Sequence, residues 1–185
     1  MNNKIRTAIA AIIVFALLIQ GGCGGKANAA QESLETVLTS LQNQDVQEAE
    51  IYLSAVGFDS ELYSVSHEAF AAVYFSDFAF QILDTNTNKD GTVSLDVMIA
   101  TKNMAEVLRA MEDALDAAFD SGRFPDEVKS TDAWFIEIYE SRSFETREKT
   151  FTIVMKKDDA GSWEIEDKAM FGSILLDGYD PRQIG

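Results

Sequence analysis

A short polar segment offers oxygen ligands at the spacing of a calcium-binding loop. Asn86, Asn88 and Asp90 occupy the first, third and fifth places of such a loop, and Gly91 occupies the sixth. The twelfth place, where these loops have a glutamate that binds through both oxygens, is Val97. The residues that follow alternate as in a strand, so we predict a hairpin turn rather than a metal site, with Asp90-Gly91 supplying the positive φ values.

The chain has a single histidine, His67. An imidazole-based metal site or a serine–histidine relay would depend on this one residue, and no G-x-S-x-G motif is present. Next to Glu68, His67 is predicted to lie on the surface or at the start of a helix. The 31 Asp and Glu residues form too many pairs to single out an acid–base site. We therefore predict no catalytic residue, no metal ligand and no cofactor, and we favour a binding protein over the alternative of an acid–base enzyme.

Cys23 is the only cysteine, so the chain cannot form an internal disulfide. It follows a basic start with Lys4 and Arg6 and an apolar run over residues 7–19, TAIAAIIVFALLI. Thirteen residues are too few to span a bilayer core of roughly 30 Å, which takes about 20. The pattern is typical of a signal peptide, predicted here over residues 1–22.

The small residues Gly21-Gly22 before Cys23 resemble a bacterial lipobox, with Gln20 standing where lipoboxes favour Leu. The resemblance implies lipid attachment at Cys23, a tether over residues 23–30, and a protein held at the cell membrane by its acyl chains. Two alternatives remain open. Cleavage at the Ala27-Asn28-Ala29 site would release a secreted domain, and an uncleaved segment would itself be the anchor.

The net charge of −16 restricts the partners. Without the export segment the chain keeps 13 basic and 31 acidic residues, a net charge of −18. Such a surface repels nucleic acid and disfavours direct adsorption to anionic lipid. The expected partners are the membrane, through the lipid anchor, and an envelope protein or a small ligand.

Apolar residues at helical spacing predict several helices. They cover Glu32–Leu41, a segment from a cap at Asp45 to Val56 with a stop at Gly57, and Ser66–Tyr74, where a strand is the alternative. Asn103 is predicted to cap the longest helix, followed by Gly122 and Pro125. Its apolar stripe comprises Met104, Val107, Leu108, Met111, Leu115, Ala118 and Phe119.

Alternation of apolar and polar residues predicts four strands. They lie near Phe78–Ile82, Val93–Ile99, Thr150–Met155 and Trp163–Ile165, with turn segments at Asp84–Gly91 and Lys157–Gly161. Ala133–Ser141 fits either a helix or a strand, and Ala169–Leu176 is a short closing helix. The order predicts one α+β domain over residues 31–185, with an antiparallel sheet packed against N-terminal helices and one long helix.

The segments LETVLTSLQNQDVQEAEIYL, NKDGTVSLDVMIAT and FTIVMKKDDAGSWEIED carry a further resemblance. Together with the lipobox-like start, they resemble a group of uncharacterised lipoproteins of Gram-positive bacteria whose exported domain is nuclear-transport-factor-2-like, or cystatin-like. The resemblance implies a cone-shaped fold and leaves the activity open. A cluster of aromatic residues would either fill such a cone or line a pocket in it, and we favour a position in the core. The cluster comprises Phe70, Tyr74, Phe75, Phe78 and Phe80.

Overall fold

The computed structural model describes residues 25–121 and 128–179, and the side chains of these except 128–130. The predicted signal peptide over 1–22, Cys23, Gly122 and Pro125 lie outside the described residues. Within the described part the elements follow in chain order. They are α1 Gly25–Gln42, α2 Val46–Val56, a 3₁₀ turn Ser60–Tyr63, α3 His67–Tyr74, β1 Ala79–Thr87, β2 Val93–Lys102, α4 Met104–Asp120, α5 Val128–Ser141, β3 Thr146–Lys157, β4 Trp163–Ile165 and α6 Lys168–Leu175.

The four strands form one antiparallel sheet in the order β1-β2-β3-β4. In β2, Val93, Leu95, Val97 and Ile99 are all at most 1% exposed, because alternate side chains of a strand point to the same face. The α4–α5 pair forms the connection between β2 and β3. The predicted α+β class with an antiparallel sheet is confirmed.

Helix α1 lies along the sheet and contacts both of its edge strands. The Ser33 hydroxyl donates to the Trp163 carbonyl in β4 (2.9 Å), and the Thr85 hydroxyl in β1 donates to Gln31 Oε1 (3.1 Å). Near the other end of α1, Gln42 Nε2 donates to the Phe78 carbonyl (3.3 Å). The helix therefore runs antiparallel to β1, with its N-terminal part toward the ends of both hairpins.

Helix α1 begins at Gly25, inside the segment 23–30 that is predicted as a tether. Ala27, Ala29 and Ala30 favour a helix, and Ala30 is fully buried in the core. The end of this segment therefore packs as part of the domain through Ala30. None of the described helices is long and apolar enough to cross a membrane.

The caps predicted at Asp45 and Asn103 and the stop predicted at Gly57 are confirmed, whereas Ser66, predicted within the third helix, is the cap that precedes it. Asp45 accepts hydrogen bonds from the amides of Gln47 and Glu48, and Gly57 ends α2 with a φ of 80°. The Ser66 side chain caps α3 and the Asn103 side chain caps α4. These groups satisfy backbone amides that have no partner within the helix, and so fix where each helix begins.

Both hairpins turn through the same backbone geometry. Asn88 and Asp158 each donate an amide to the carbonyl four residues on, and Gly91 and Gly161 follow with φ values of 92° and 87°. The first turn is shorter than predicted, because Asp84–Thr87 continues β1 after a register shift at Leu83. Strand β3 likewise begins at Thr146 rather than Thr150.

Two helical predictions need correction in detail. The stripe on α4 is displaced, since Ala110 and Ala114 are fully buried while Phe119 is 56% exposed. Both Ser66–Tyr74 and Ala133–Ser141 are helical, so the strand alternatives for these segments are wrong. In α5, Phe135 and Tyr139 stand four residues apart, which is helical spacing, and packing against α4 outweighs the β-favouring composition of the segment.

Helix α6 packs against α2 at a glycine. A Cβ atom on Gly172 would lie well inside contact distance of the Tyr52 backbone carbonyl and 3.3 Å from the Val56 Cβ. The Tyr52 and Phe171 rings meet edge to face beside this point, with centroids 4.8 Å apart. The absence of a side chain at residue 172 thus allows the two backbones to approach.

We predict that Gly172→Ala destabilises the domain by about 1–3 kcal/mol, because the added methyl group forces α2 and α6 apart. Gly25→Ala is the control, since its Cβ would meet nothing within 4 Å. Urea unfolding followed by circular dichroism measures both variants. Equal stability of the Gly172→Ala variant and the wild type would contradict the close packing described.

Candidate functional site

A cavity of about 210 Å³ lies between α2, the 3₁₀ turn and α3. Its apolar lining comprises Val46, Ala49, Leu53, Phe58, Phe70 and Ala71. The polar residues that line it are Glu50, Ser54, Asp59, Ser60 and His67. A mainly apolar cavity with a few convergent polar groups is the usual form of a small-molecule site.

Short elements with strong caps hold the polar residues in place. The Gly57 turn carries the chain from α2 to Phe58, whose amide donates to the Leu53 carbonyl (2.9 Å). Asp59 caps the 3₁₀ turn by accepting from the Glu61 amide (2.9 Å). The Ser66 cap then places His67 as the first residue of α3. Three structural elements therefore converge on one opening.

His67 connects two carboxylates across this opening. Its Nδ1 lies 2.5 Å from Glu50 Oε1 on α2, and its Nε2 lies 3.2 Å from Asp59 Oδ1 before the 3₁₀ turn. A neutral imidazole has one N–H donor, whereas an imidazolium has two. Both contacts are hydrogen bonds only when His67 is protonated, so the cationic form holds α2, the turn and α3 together.

The environment of His67 favours that cationic form. Partial burial lowers the pKa of His67, but the hydrogen bonds to Asp59 and Glu50 and the negative charges of Glu50 and Glu61 outweigh burial. The result is a pKa above the usual 6.5. The His67 side chain is 34% exposed, so solvent weakens these interactions and the proton can exchange.

Ser60 is the second unusual feature of the cavity. The residue is 1% exposed, and its Oγ is the only buried side-chain oxygen or nitrogen in the described residues that lacks a hydrogen-bond partner. A buried hydroxyl without a partner costs about 1–3 kcal/mol. Less than 1 Å² of this oxygen is accessible, so a group in the cavity reaches the hydroxyl only if neighbouring atoms move.

The arrangement does not resemble a nucleophilic catalytic site. Both ring nitrogens of His67 face carboxylates, which leaves neither nitrogen to accept a proton from a serine hydroxyl. Among the residues the structure describes, no three His, Cys, Asp or Glu side chains are grouped to hold a metal ion. The geometry instead provides hydrogen-bond acceptors and negative charge beside an apolar space.

The calcium-like loop is a turn, as predicted. Asn88 uses its side-chain amide to donate to the hydroxyls of Thr92 (2.9 Å) and Ser94 (2.8 Å). Asn86 donates to Asp84, and Asp90 accepts from Thr92, which lowers the pKa of the Asp90 carboxyl. The positive φ belongs to Gly91 and not to Asp90, so that detail of the prediction is corrected.

The aromatic cluster forms a continuous row of rings. Phe70 stacks on Tyr74 at 5.1 Å, and Phe75, Phe78 and Phe80 follow with successive centroids 5.3–6.4 Å apart. Only Phe70 lines the cavity. The prediction that the cluster belongs to the core is confirmed, except that Phe80 at its end is only half-buried.

A second cleft, of about 300 Å³, lies beside Lys102. The Lys102 side chain is 2% exposed, and its ammonium donates to Asp77 Oδ2 (2.6 Å) and Ser76 Oγ (2.8 Å). The ammonium also lies 5.3 Å from the centre of the Tyr139 ring. Because internal partners already surround this charge, we interpret the cluster as structural.

The sequence indicated His67 but not its partners. Tertiary packing determines the other features of the site, which are the unpaired Ser60 hydroxyl, the opening beside Glu50 and Asp59, and the apolar lining. Cys23, the predicted lipid-attachment residue, lies outside the described part of the chain. Comparison with protein-family models, curated proteins and solved structures finds no significant match for this chain.

We predict that His67→Gln destabilises the protein at acid pH and has little effect at alkaline pH. The pKa of His67 is higher in the folded protein than its ordinary value of 6.5. Protonated His67 therefore stabilises the fold fully below pH 6.5, and this stabilisation is lost as pH rises through the pKa of the folded state. The expected loss is about 0.5–1 kcal/mol near pH 5, with almost none near pH 9.

Urea unfolding across this pH range measures the effect, with Glu68→Gln on the exposed neighbouring position as the control. A His67→Gln effect that is constant with pH, or that grows toward alkaline pH, would contradict a protonated histidine held between two carboxylates.

Proposed function

We propose that the protein is an exported, lipid-anchored binding protein of the cell envelope, with the α2–α3 cavity as its ligand site. The observation that carries the binding function is a mainly apolar cavity at whose opening Glu50, Asp59 and His67 converge. Such a cavity is the usual form of a small-molecule site.

The start of α1 favours lipid attachment at Cys23 over the alternative of secretion after Ala29. Cleavage after Ala29 would remove the first five residues of α1 and place a charged amino group on Ala30, which is fully buried. A positive charge at a helix N-terminus also opposes the helix dipole. Cleavage before Cys23 leaves α1 intact.

We further propose that the fold is of the nuclear-transport-factor-2-like, or cystatin-like, kind. The support is a four-stranded antiparallel sheet with α1 packed along it and an irregularity in β1 that bends the edge strand. Enzymes and binding modules share such folds, so the choice of binding over acid–base catalysis depends on the cavity alone.

We predict that the full-length chain expressed in a Gram-positive host fractionates with the membrane, and that Cys23→Ala releases it from that fraction. Loss of the thiol removes the acyl chains, each CH₂ of which contributes about 0.8 kcal/mol to membrane binding.

Ala29→Leu is the control, because it destroys the alternative cleavage site at an exposed position of α1. Immunoblots of the membrane fraction and the medium measure both variants. If Ala29→Leu stops release into the medium while Cys23→Ala changes nothing, the protein is secreted and the anchoring proposal fails.

For the cavity, we predict that small fragments with an apolar body and one polar group shift the amide resonances of residues around Ser60 and His67. Ala49→Phe fills the cavity from α2 and should abolish these shifts. Ala55→Phe makes the same change on the exposed side of α2 and should preserve them.

Two-dimensional NMR of the ¹⁵N-labelled protein and both variants measures this. Fragments that bind equally well to the Ala49→Phe variant, or a complete lack of fragments that bind near Ser60, would contradict a ligand site in the cavity.

A further inference from the structure

The start of α1 and the two hairpin turns lie at the same end of the domain. Gln31 of α1 contacts Thr85 of β1, and Ser33 contacts Trp163 of β4. From Gln31 the helix extends back to Gly25 over about 9 Å, and from Thr85 the chain runs about 10 Å to the first turn. We call this end the hairpin end, and it comprises residues 25–30, 88–91 and 157–161.

The cavity between α2 and α3 belongs to the opposite end. Its described lining residues all fall within residues 43–78, between the end of α1 and the start of β1. This segment begins and ends at one place, because Gln42 Nε2 donates to the Phe78 carbonyl (3.3 Å). Since a helix rises 1.5 Å per residue, that place is about 25 Å from the start of α1. The cavity and the hairpin end are therefore separated along the domain.

The hairpin end is neutral overall in an acidic chain. Its net charge is zero, from three basic and three acidic residues: Lys26, Lys89, Lys157, Asp90, Asp158 and Asp159. The other residues from 31 onward carry 10 basic and 28 acidic side chains, a net charge of −18. The three lysines are exposed, and no ion pair within the described residues involves them. Anionic lipid headgroups therefore repel this end less than the rest of the domain.

Resting on the proposed lipid anchor, we infer that the hairpin end is the membrane-facing surface of the domain and that the cavity opens away from the bilayer. Cys23 precedes Gly25 by two residues, which span at most about 7 Å. Ala30 is fully buried, so α1 cannot swing away from the core to lengthen this connection. Acyl chains on Cys23 therefore hold the start of α1, and with it both turns, at the headgroups.

This orientation defines how a ligand reaches the cavity. With the hairpin end on the lipid, the segment 43–78 projects from the membrane surface into the surrounding medium. The ligand then arrives as a solute from outside the bilayer and not as a lipid that moves laterally into the site.

Three single-thiol variants test the orientation on the full chain purified from the host membrane. Asp159→Cys lies in the second turn, Asn43→Cys directly follows α1 at the opposite end, and Glu68→Cys lies beside the cavity on α3, all at exposed positions. Each is labelled with a thiol-reactive fluorophore and placed in vesicles of phosphatidylethanolamine and phosphatidylglycerol, some of whose headgroups carry a nitroxide quencher. The label at Asp159 should lose most of its fluorescence, and the labels at Asn43 and Glu68 should lose little.

A lengthened tether is the matched control. Insertion of about 20 Gly and Ser residues between Gly24 and Gly25 extends the connection by roughly 25 Å and leaves the domain unchanged. The Asp159→Cys label should then lose most of its quenching. Quenching that stays the same with the long tether would overturn the role of the short connection in setting the orientation.

Quenching at Asn43 or Glu68 that equals or exceeds quenching at Asp159 would overturn the orientation and leave the anchor in place. The wild type tests the anchor separately, because a Cys23 whose sulfur carries the lipid has no thiol to label. A wild-type chain that takes the fluorophore and stays out of the membrane fraction would contradict the anchor itself, and the orientation with it.

Discussion

The contact between α2 and α6 at Gly172 is the constraint on which the site depends. The two backbones approach so closely there that no Cβ fits between them, and α2 is thereby fixed against the core. Another side of the same helix forms one wall of the cavity. The opposite wall is α3, which His67 connects to α2 through Glu50. The α2 wall is therefore held by close packing, and the α3 wall is held by its own buried side chains together with the His67 bridge.

The His67 bridge is the part of the cavity wall that responds to pH. Packed apolar contacts do not respond to pH, whereas the bridge from His67 to Glu50 and Asp59 requires two N–H donors on one ring. Loss of one proton from His67 therefore removes one of the two hydrogen bonds across the opening.

The sequence was sufficient to predict helix ends and strand alternation, because both depend on residues that are close together in the chain. Short-range rules predicted the caps at Asp45 and Asn103, the stop at Gly57 and the alternation in β2, and all of these are confirmed. Phe119 was predicted inside and is exposed, because which side of α4 is buried depends on α5 and the sheet. Ser60 could not have been predicted, since a serine in a turn is unremarkable until packing buries it.

The most direct test of the account is a high-resolution crystal structure of the exported protein, purified from its own host without exchange of bound molecules. The account predicts density for a small molecule in the cavity, against Leu53 and Phe70 and beside the Glu50 carboxylate. A cavity that is closed by its own side chains, or that holds only water, would contradict it.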